Sequence, residues 1–215
     1  MIFLLLGPGC GKGTQAVILA DRFHIAAIST GEMFRAEYRA GSELGKAACK
    51  LLSEGKLVSD EVVNAMVASR TSRPDCREGF LLDGYPRTVP QAIFLSGLAR
   101  ERGWPEPCVI HLDVDELPVA RLTARRQCPT CLRIYNLVSQ APKVAGICDD
   151  EGAALITRED DKEEVIRRRL RAYDELTGPA LKWYGPKQVV TIDGSPPRAE
   201  VTESITHAVP VPALR

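Results

Sequence analysis

Ile2-Phe3-Leu4-Leu5-Leu6-Gly7-Pro8-Gly9-Cys10-Gly11-Lys12-Gly13-Thr14 opens the chain with an apolar run and a glycine-rich turn ending in Lys-Gly-Thr. An unbroken apolar run, rather than an alternating one, is the pattern of a strand buried on both faces of a parallel sheet. Glycines let successive backbone N–H groups point inward at an anion, and a helix starting there adds the positive end of its dipole. Lys12 then reaches terminal phosphates as a point charge, and Thr14 lies near a magnesium ion. An ordinary strand–helix turn needs only one or two glycines, whereas Gly7, Gly9, Gly11 and Gly13 all fall here. The strict phosphate-loop spacing has glycine six residues before the lysine. Leu6 stands at that position, and Gly7 is the residue that could serve in its place.

Working outward, Ala16, Leu19, Ala20 and Phe23 share one face of a helix. Strands are expected at Ile25–Ser29, Gly79–Asp83, Pro107–Val114 and Gln188–Asp193. Helices are expected at Val89–Arg102, Asp115–Arg126, Val165–Tyr184 and Ala199–Ala208, and the tail from Val209 to Arg215 reads as frayed. Strands alternating with helices predict an α/β fold, a five-stranded parallel sheet of the phosphate-loop NTPase type covered by helices. Two stretches break the alternation. Thr30 to Arg73 is helical in pieces, broken at Gly41 and Gly55, and Cys128 to Asp161 is rich in Pro, Gly, Cys and Thr. Both read as inserts on the side where strands end and ligands bind.

The chain has 215 residues, enough for one domain with small inserts. Its 28 Lys+Arg balance its 28 Asp+Glu. That balance argues against a nucleic-acid coat or a membrane-surface binder. The apolar run at the start is too short to span a bilayer, and it lacks the flanks of a secretion signal. This composition allows a soluble intracellular enzyme and does not choose one.

Seven cysteines, an odd number, argue against a disulfide framework. Cys128-Pro-Thr-Cys131 is a two-residue knuckle, Cys148 follows, and Glu151 repeats the two-residue gap. This is nearly a four-ligand zinc ribbon, and an insert with little apolar content gains from a structural metal. Asp149, Asp150 or a water are alternative fourth ligands. A metal-free lid with reactive or pairing thiols is the competing reading.

Gly9-Cys-Gly-Lys-Gly-Thr-Gln15, Ser29-Thr-Gly-Glu-Met-Phe-Arg35, Gly55-Lys-Leu-Val58 and Gly79-Phe-Leu-Leu-Asp-Gly-Tyr-Pro-Arg-Thr88 carry a resemblance. With Arg158-Glu-Asp-Asp161, Arg169 and Asp193-Gly194, the chain resembles the adenylate kinase family over nearly its whole length. The resemblance implies a core of residues 1–28, 59–124 and 163–215. It implies a helical monophosphate-binding insert at 29–58 and a zinc-ribbon-like lid at 125–162. It implies reversible transfer between ATP and AMP giving two ADP, with Mg²⁺ and a structural Zn²⁺, in a cytoplasmic monomer without nucleic-acid or membrane partners.

Residue roles follow from the same resemblance. Gly9, Cys10, Gly11, Lys12, Gly13 and Thr14 hold the ATP phosphates. Arg121 stacks on the donor adenine, Ile134 and Tyr135 lie along that nucleotide, and backbone near Pro196 touches its base. Thr30 and Arg35 contact AMP at its base and phosphate. Lys56, Leu57 and Val58 offer backbone groups to it. Gly84, Tyr85, Pro86 and Arg87 hold its phosphate, and Gln91 reads the adenine edge. Arg125, Arg158 and Arg169 close on the transferring phosphoryl, the last two also reaching AMP. Asp83 holds water around Mg²⁺. Cys128, Cys131, Cys148 and Glu151 ligate zinc.

Chemistry asks for such parts independently, because bringing two anionic nucleotides together demands positioning and charge neutralisation. Arg121 and Arg125, four apart, would share a helix face. Two alternatives stay open. One is a kinase preferring UMP, CMP or GMP, against which Thr30 and Gln91 favour AMP. The other is a nucleotide-binding zinc-ribbon switch, which calls for a basic ribbon. Between Cys128 and Cys148 the only positive residues are Arg133 and Lys143.

Overall fold

The computed structural model describes residues 1–7, 9–114 and 118–209. Five parallel strands form one sheet: β1 (Ile2–Leu6), β2 (Ala26–Ser29), β3 (Phe80–Asp83), β4 (Cys108–Asp113) and, last in the chain, β7 (Val189–Asp193). Their spatial order is β2-β3-β1-β4-β7. The opening apolar run is therefore the central strand, with Leu4 opposite Leu82 on one side and Val109 on the other.

Its side chains alternate between two cores. Ile2, Leu4 and Leu6 pack with Val67, Leu82 and Leu95, while Phe3 and Leu5 pack with Leu19, Ile110, Val201 and Ile205. All five β1 side chains are at most 3% exposed. Each buried side chain of this size contributes about 1.5–3 kcal/mol, which explains why the run shows no polar alternation.

Helix α1 (Lys12–Phe23) follows the glycine turn and buries Ala16, Leu19, Ala20 and Phe23 as its spacing requires. Between β2 and β3 run α2 (Thr30–Arg39), α3 (Glu43–Ser53) and α4 (Asp60–Thr71), with breaks at Gly41 and Gly55, both at positive φ. Ser42 caps α3 by accepting from the Gly45 amide. Helix α5 (Val89–Glu101) is capped by Thr88 and ends before Gly103.

Three expectations are corrected. The helix read over Asp115–Arg126 is only α6 (Pro118–Thr123); residues 115–117 lie outside the described part. Arg125 instead begins β5 (Arg125–Gln127), which pairs antiparallel with β6 (Ile134–Asn136). It therefore shares no helix face with Arg121. The helix read over Val165–Tyr184 is α7 (Glu163–Ala172), a π turn (Tyr173–Thr177) and α8 (Gly178–Tyr184). Pro179 has no N–H to give the Glu175 carbonyl, so the ladder widens there. Val209, at the end of the last helix α9 (Arg198–Ala208), is buried in the core rather than frayed. The rest of that tail, residues 210–215, lies outside the described part.

The stretch from β5 onward carries its own small apolar cluster of Cys128, Tyr135 and Cys148, flanked by Ala153 and Leu155. Among the described residues no helix is long and apolar enough to cross a membrane.

Candidate active site

Strand β1 delivers the chain to the carboxyl edge of the sheet between β3 and β4. In open parallel sheets this switch point is where ligands bind. Gly7 sits there at φ 134, and a Cβ on it would meet the Leu112 carbonyl oxygen at 2.1 Å. Leu6 stays in the strand at 1% exposure. Gly7 therefore does the work of the loop's first glycine, and the loop is one residue shorter than the strict spacing. Gly9 and Gly11 follow at φ 65 and 81. Lys12 begins α1 and donates its ammonium back to the Gly7 carbonyl. Burial pushes the Cys10 thiol up, so this loop cysteine is neutral.

The loop opens into a cleft of about 1040 Å³. Gly9 to Thr14, Asp83 and Arg35, Arg87, Arg121, Arg125, Arg158 and Arg169 all line it, joining six segments that are distant in sequence. Asp83 ends β3 and faces the phosphate loop, its Oδ2 3.7 Å from where a Cβ on Gly13 would stand.

The arginines are crowded and desolvated. Burial, then the charge of Arg169, lowers the Arg87 pKa. Burial, then the charges of Arg35 and Arg125, brings Arg158 down to about 10. Burial likewise lowers Arg169. For Arg125 burial acts the same way, but hydrogen bonding and charge from Asp161 outweigh it and raise the group. Cations held this way favour any anion that enters, because the low dielectric strengthens each new contact.

Three carboxylates hold this array, and the sequence reading assigned none of them a role. Asp161, fully buried, accepts from Arg125 Nε at 2.8 Å and lies 3.6 Å from Arg169. Asp160 pairs with Arg169 at 3.1 Å. Burial pushes the Asp160 carboxyl up, but Arg169, Arg125, Arg35 and Arg158 together hold it below the usual carboxylate range. Glu32 Oε1 accepts from Arg35 Nε at 2.8 Å and Arg158 Nη2 at 3.2 Å. The available signal was proximity in sequence to arginines of the quoted motifs.

A second, smaller pocket opens beside Arg87, lined by Thr30, Leu57, Val58, Gly84 and Gln91. Thr30 Oγ1 donates to the Gly84 carbonyl at 3.2 Å. The Gln91 amide is fixed at both ends: Oε1 accepts from the Arg87 amide and Nε2 donates to Asp60 Oδ1, both at 2.7 Å. Asp60 also accepts from Thr88 Oγ1 at 2.9 Å. At the start of α4, Asp60 reads in sequence as an ordinary acidic residue of a first helical turn. Lys56 and Leu57 line the main cleft. Tyr85 and Pro86 do not line either cavity. Both are buried behind them, and the Tyr85 hydroxyl donates to Asn64 Oδ1 at 2.6 Å.

On the opposite side Arg121 Nη1 donates to the Gly194 carbonyl at 3.1 Å. Ile134, Tyr135 and Pro196 line the cleft near it. Asn136 Nδ2 donates to the Arg121 carbonyl at 2.8 Å, tying β6 to α6.

Beyond β5, the sulfurs of Cys128, Cys131 and Cys148 lie within 4.8 Å of one another. The Cys131–Cys148 separation is 3.6 Å. Tetrahedral zinc with sulfur at about 2.3 Å requires sulfurs about 3.8 Å apart, so these thiols fit that ion. A hydrogen bond with the Tyr135 hydroxyl lowers the Cys148 thiol to about 7, toward the thiolate a metal needs. Glu151 is not brought to the group, which holds only the three thiols. It is exposed in the turn after Cys148. The other carboxylates there are engaged: Asp150 pairs with Arg133, and Asp149 Oδ1 accepts from the Lys143 amide at 2.8 Å.

The family model "Adenylate kinase" matches residues 4–189. The adenylate kinase of Caldanaerobacter subterraneus is 45% identical over 212 residues, covering 97% of this chain and 96% of that protein. The adenylate kinase of Pseudothermotoga lettingae is 44% identical over 208 residues, 96% of each chain. That of Anaeromyxobacter dehalogenans is 47% identical over 186 residues, 86% of this chain and 87% of the relative. A match of this extent, on a chain with this sheet order and this arginine-lined cleft, shows that the chain belongs to the adenylate kinase family.

Proposed function

We propose that this chain is a phosphotransferase that carries the terminal phosphoryl of ATP to AMP and back, giving two ADP. The observation that carries the proposal is the single cleft that joins a phosphate loop to six arginines, with a second, small pocket lined by Thr30, Val58 and Gln91 opening beside Arg87. A hydrolase or a switch has no use for the second pocket.

The donor binds along the phosphate loop. Loop amides and Lys12 hold its phosphates, and Arg121 covers its base. Magnesium supplies charge neutralisation across the donor phosphates when bound, and Thr14 and Asp83 are the oxygen donors that suit it. The acceptor binds with its phosphate on Arg35 and Arg87 and its base in the smaller pocket. With its amide anchored by Arg87 and Asp60, Gln91 keeps one N–H and one lone pair for a base edge presenting an acceptor beside a donor, as adenine does. Arg125, Arg158 and Arg169 neutralise the transferring group. Little covalent chemistry is asked of the protein, so rate comes from alignment and from charges already in place. Residues 29–58 would close over the acceptor and 125–162 over the donor, excluding water that would hydrolyse it. Zinc on the three thiols would hold the second of these in shape. All of these groups come from one chain, which suits a monomer.

A coupled assay of ADP formation from ATP with AMP, UMP, CMP or GMP tests the acceptor assignment. AMP gives a kcat/KM at least about 100-fold above the others, the discrimination expected of a site whose buried polar groups a wrong base leaves unpaired. Equal use of UMP or CMP overturns it.

A further inference from the structure

Gln127 is a buried amide at the end of β5, 5% exposed, and no motif accounts for it. Its Oε1 accepts from Arg158 Nε at 2.7 Å. Its Nε2 donates to the Leu132 carbonyl at 3.1 Å. Leu132 directly follows Cys131 and has φ 64, a left-handed conformation that costs a side-chain-bearing residue about 1–2 kcal/mol. The Leu132 amide donates to the Cys128 carbonyl at 3.1 Å, so this strained residue closes the cysteine knuckle. The main chain of Gln127 is itself fixed by two bonds of 2.9 Å with Ile156.

These contacts form one line from the knuckle to a cleft arginine. Arg158 is nearly buried, and its guanidinium needs both terminal nitrogens free if it is to grip a phosphoryl group as a fork. An anchor on Nε occupies neither of them, although Nη2 must exchange its contact with Glu32 for a phosphoryl oxygen. Of the two, Nη2 meets Glu32 at 3.2 Å. A neutral anchor also helps, because a carboxylate there would add a second negative charge, after Glu32, beside an incoming phosphate. Gln127 meets both conditions, and the Leu132 carbonyl fixes which end of the amide faces Arg158.

We propose that Gln127 is a positioning residue for phosphoryl transfer, which transmits the set of the cysteine knuckle to Arg158 by bridging Leu132 and the arginine. The inference rests on the proposed role of Arg158, and the test separates the two. Gln127→Met keeps volume and removes both bonds, and Gln127→Glu keeps the acceptor but sets it against the Leu132 carbonyl. Both lower kcat about 10- to 100-fold, the cost of misplacing a reacting group by about 1 Å, and change the KM for ATP and AMP less than threefold. Arg158→Lys has no Nε to anchor. Adding Gln127→Met to it lowers kcat by less than threefold more, because coupled residues do not add. If the two losses multiply, Gln127 does not act through Arg158. If kcat is unchanged in Gln127→Met and Gln127→Glu while Arg158→Lys is impaired, Gln127 does not position the arginine. If Arg158→Lys itself keeps full kcat, the role of the arginine is wrong instead. Should Gln127→Met fail to fold, Gln127→Glu decides the outcome alone, and its thermal midpoint within about 3 °C of the parent excludes simple unfolding.

Discussion

Replacing Lys12 with Met lowers kcat by about 1,000-fold or more, about 4 kcal/mol, the loss seen when a preorganised charge is taken from a water-excluded transition state. The fold survives. Lys12 is half-buried and its ammonium makes one internal bond, to the Gly7 carbonyl on its own loop. Methionine keeps the length and packing of the stem. The thermal midpoint therefore moves by no more than about 3 °C. Rate measurements with saturating ATP and AMP, beside a melting curve, check both parts. A variant within tenfold of the parent kcat would show that the phosphate loop is not where the donor phosphates sit.

Stripping metal with a chelator lowers the thermal midpoint by about 10 °C. That figure corresponds to about 4 kcal/mol, the linkage contribution of a ligand present at about a thousand times its dissociation constant. The physical reason is the poverty of the core beyond β5. Between residues 128 and 160, Cys128, Tyr135 and Cys148 are the only buried side chains among the described residues, with Ala153 and Leu155 against them. Three thiols drawn together without a cross-link would repel if ionised, and an ion bound among them would offset that and tie the stretch together. Turnover at moderate temperature falls far less than stability does. Restoring zinc recovers the midpoint, and equal melting of stripped and zinc-loaded protein would remove the metal from the account.

Much of the fold was legible because the physics was local. The run Ile2–Leu6 feeds two cores, so every residue had to be apolar, and a glycine turn with Lys-Gly-Thr has few other uses. What stayed hidden depends on contacts between distant segments. Whether Leu6 or Gly7 serves as the loop's first glycine is decided by the Leu112 carbonyl, which belongs to β4. Arg121 and Arg125 have helical spacing, but pairing of Arg125 with Asn136 draws the second into a strand. Asp161 meets Arg125 across 36 residues, and Glu32 meets Arg158 across 126. Both carboxylates lie inside quoted motifs, but nothing in those motifs says which distant arginine each one meets. Glu151 shows the converse. Its spacing repeated the knuckle perfectly, yet the turn after Cys148 leaves its side chain in solvent.

The central claim is that one cleft holds two nucleotides and passes a phosphoryl group between them. Supplying the protein with ADP and magnesium alone, and following the phosphorus signals, tests it most directly. ADP occupies both ends of the cleft, so ATP and AMP appear in equal amounts until the three nucleotides reach equilibrium. Release of inorganic phosphate with AMP, or no change in the ADP signal, would contradict it.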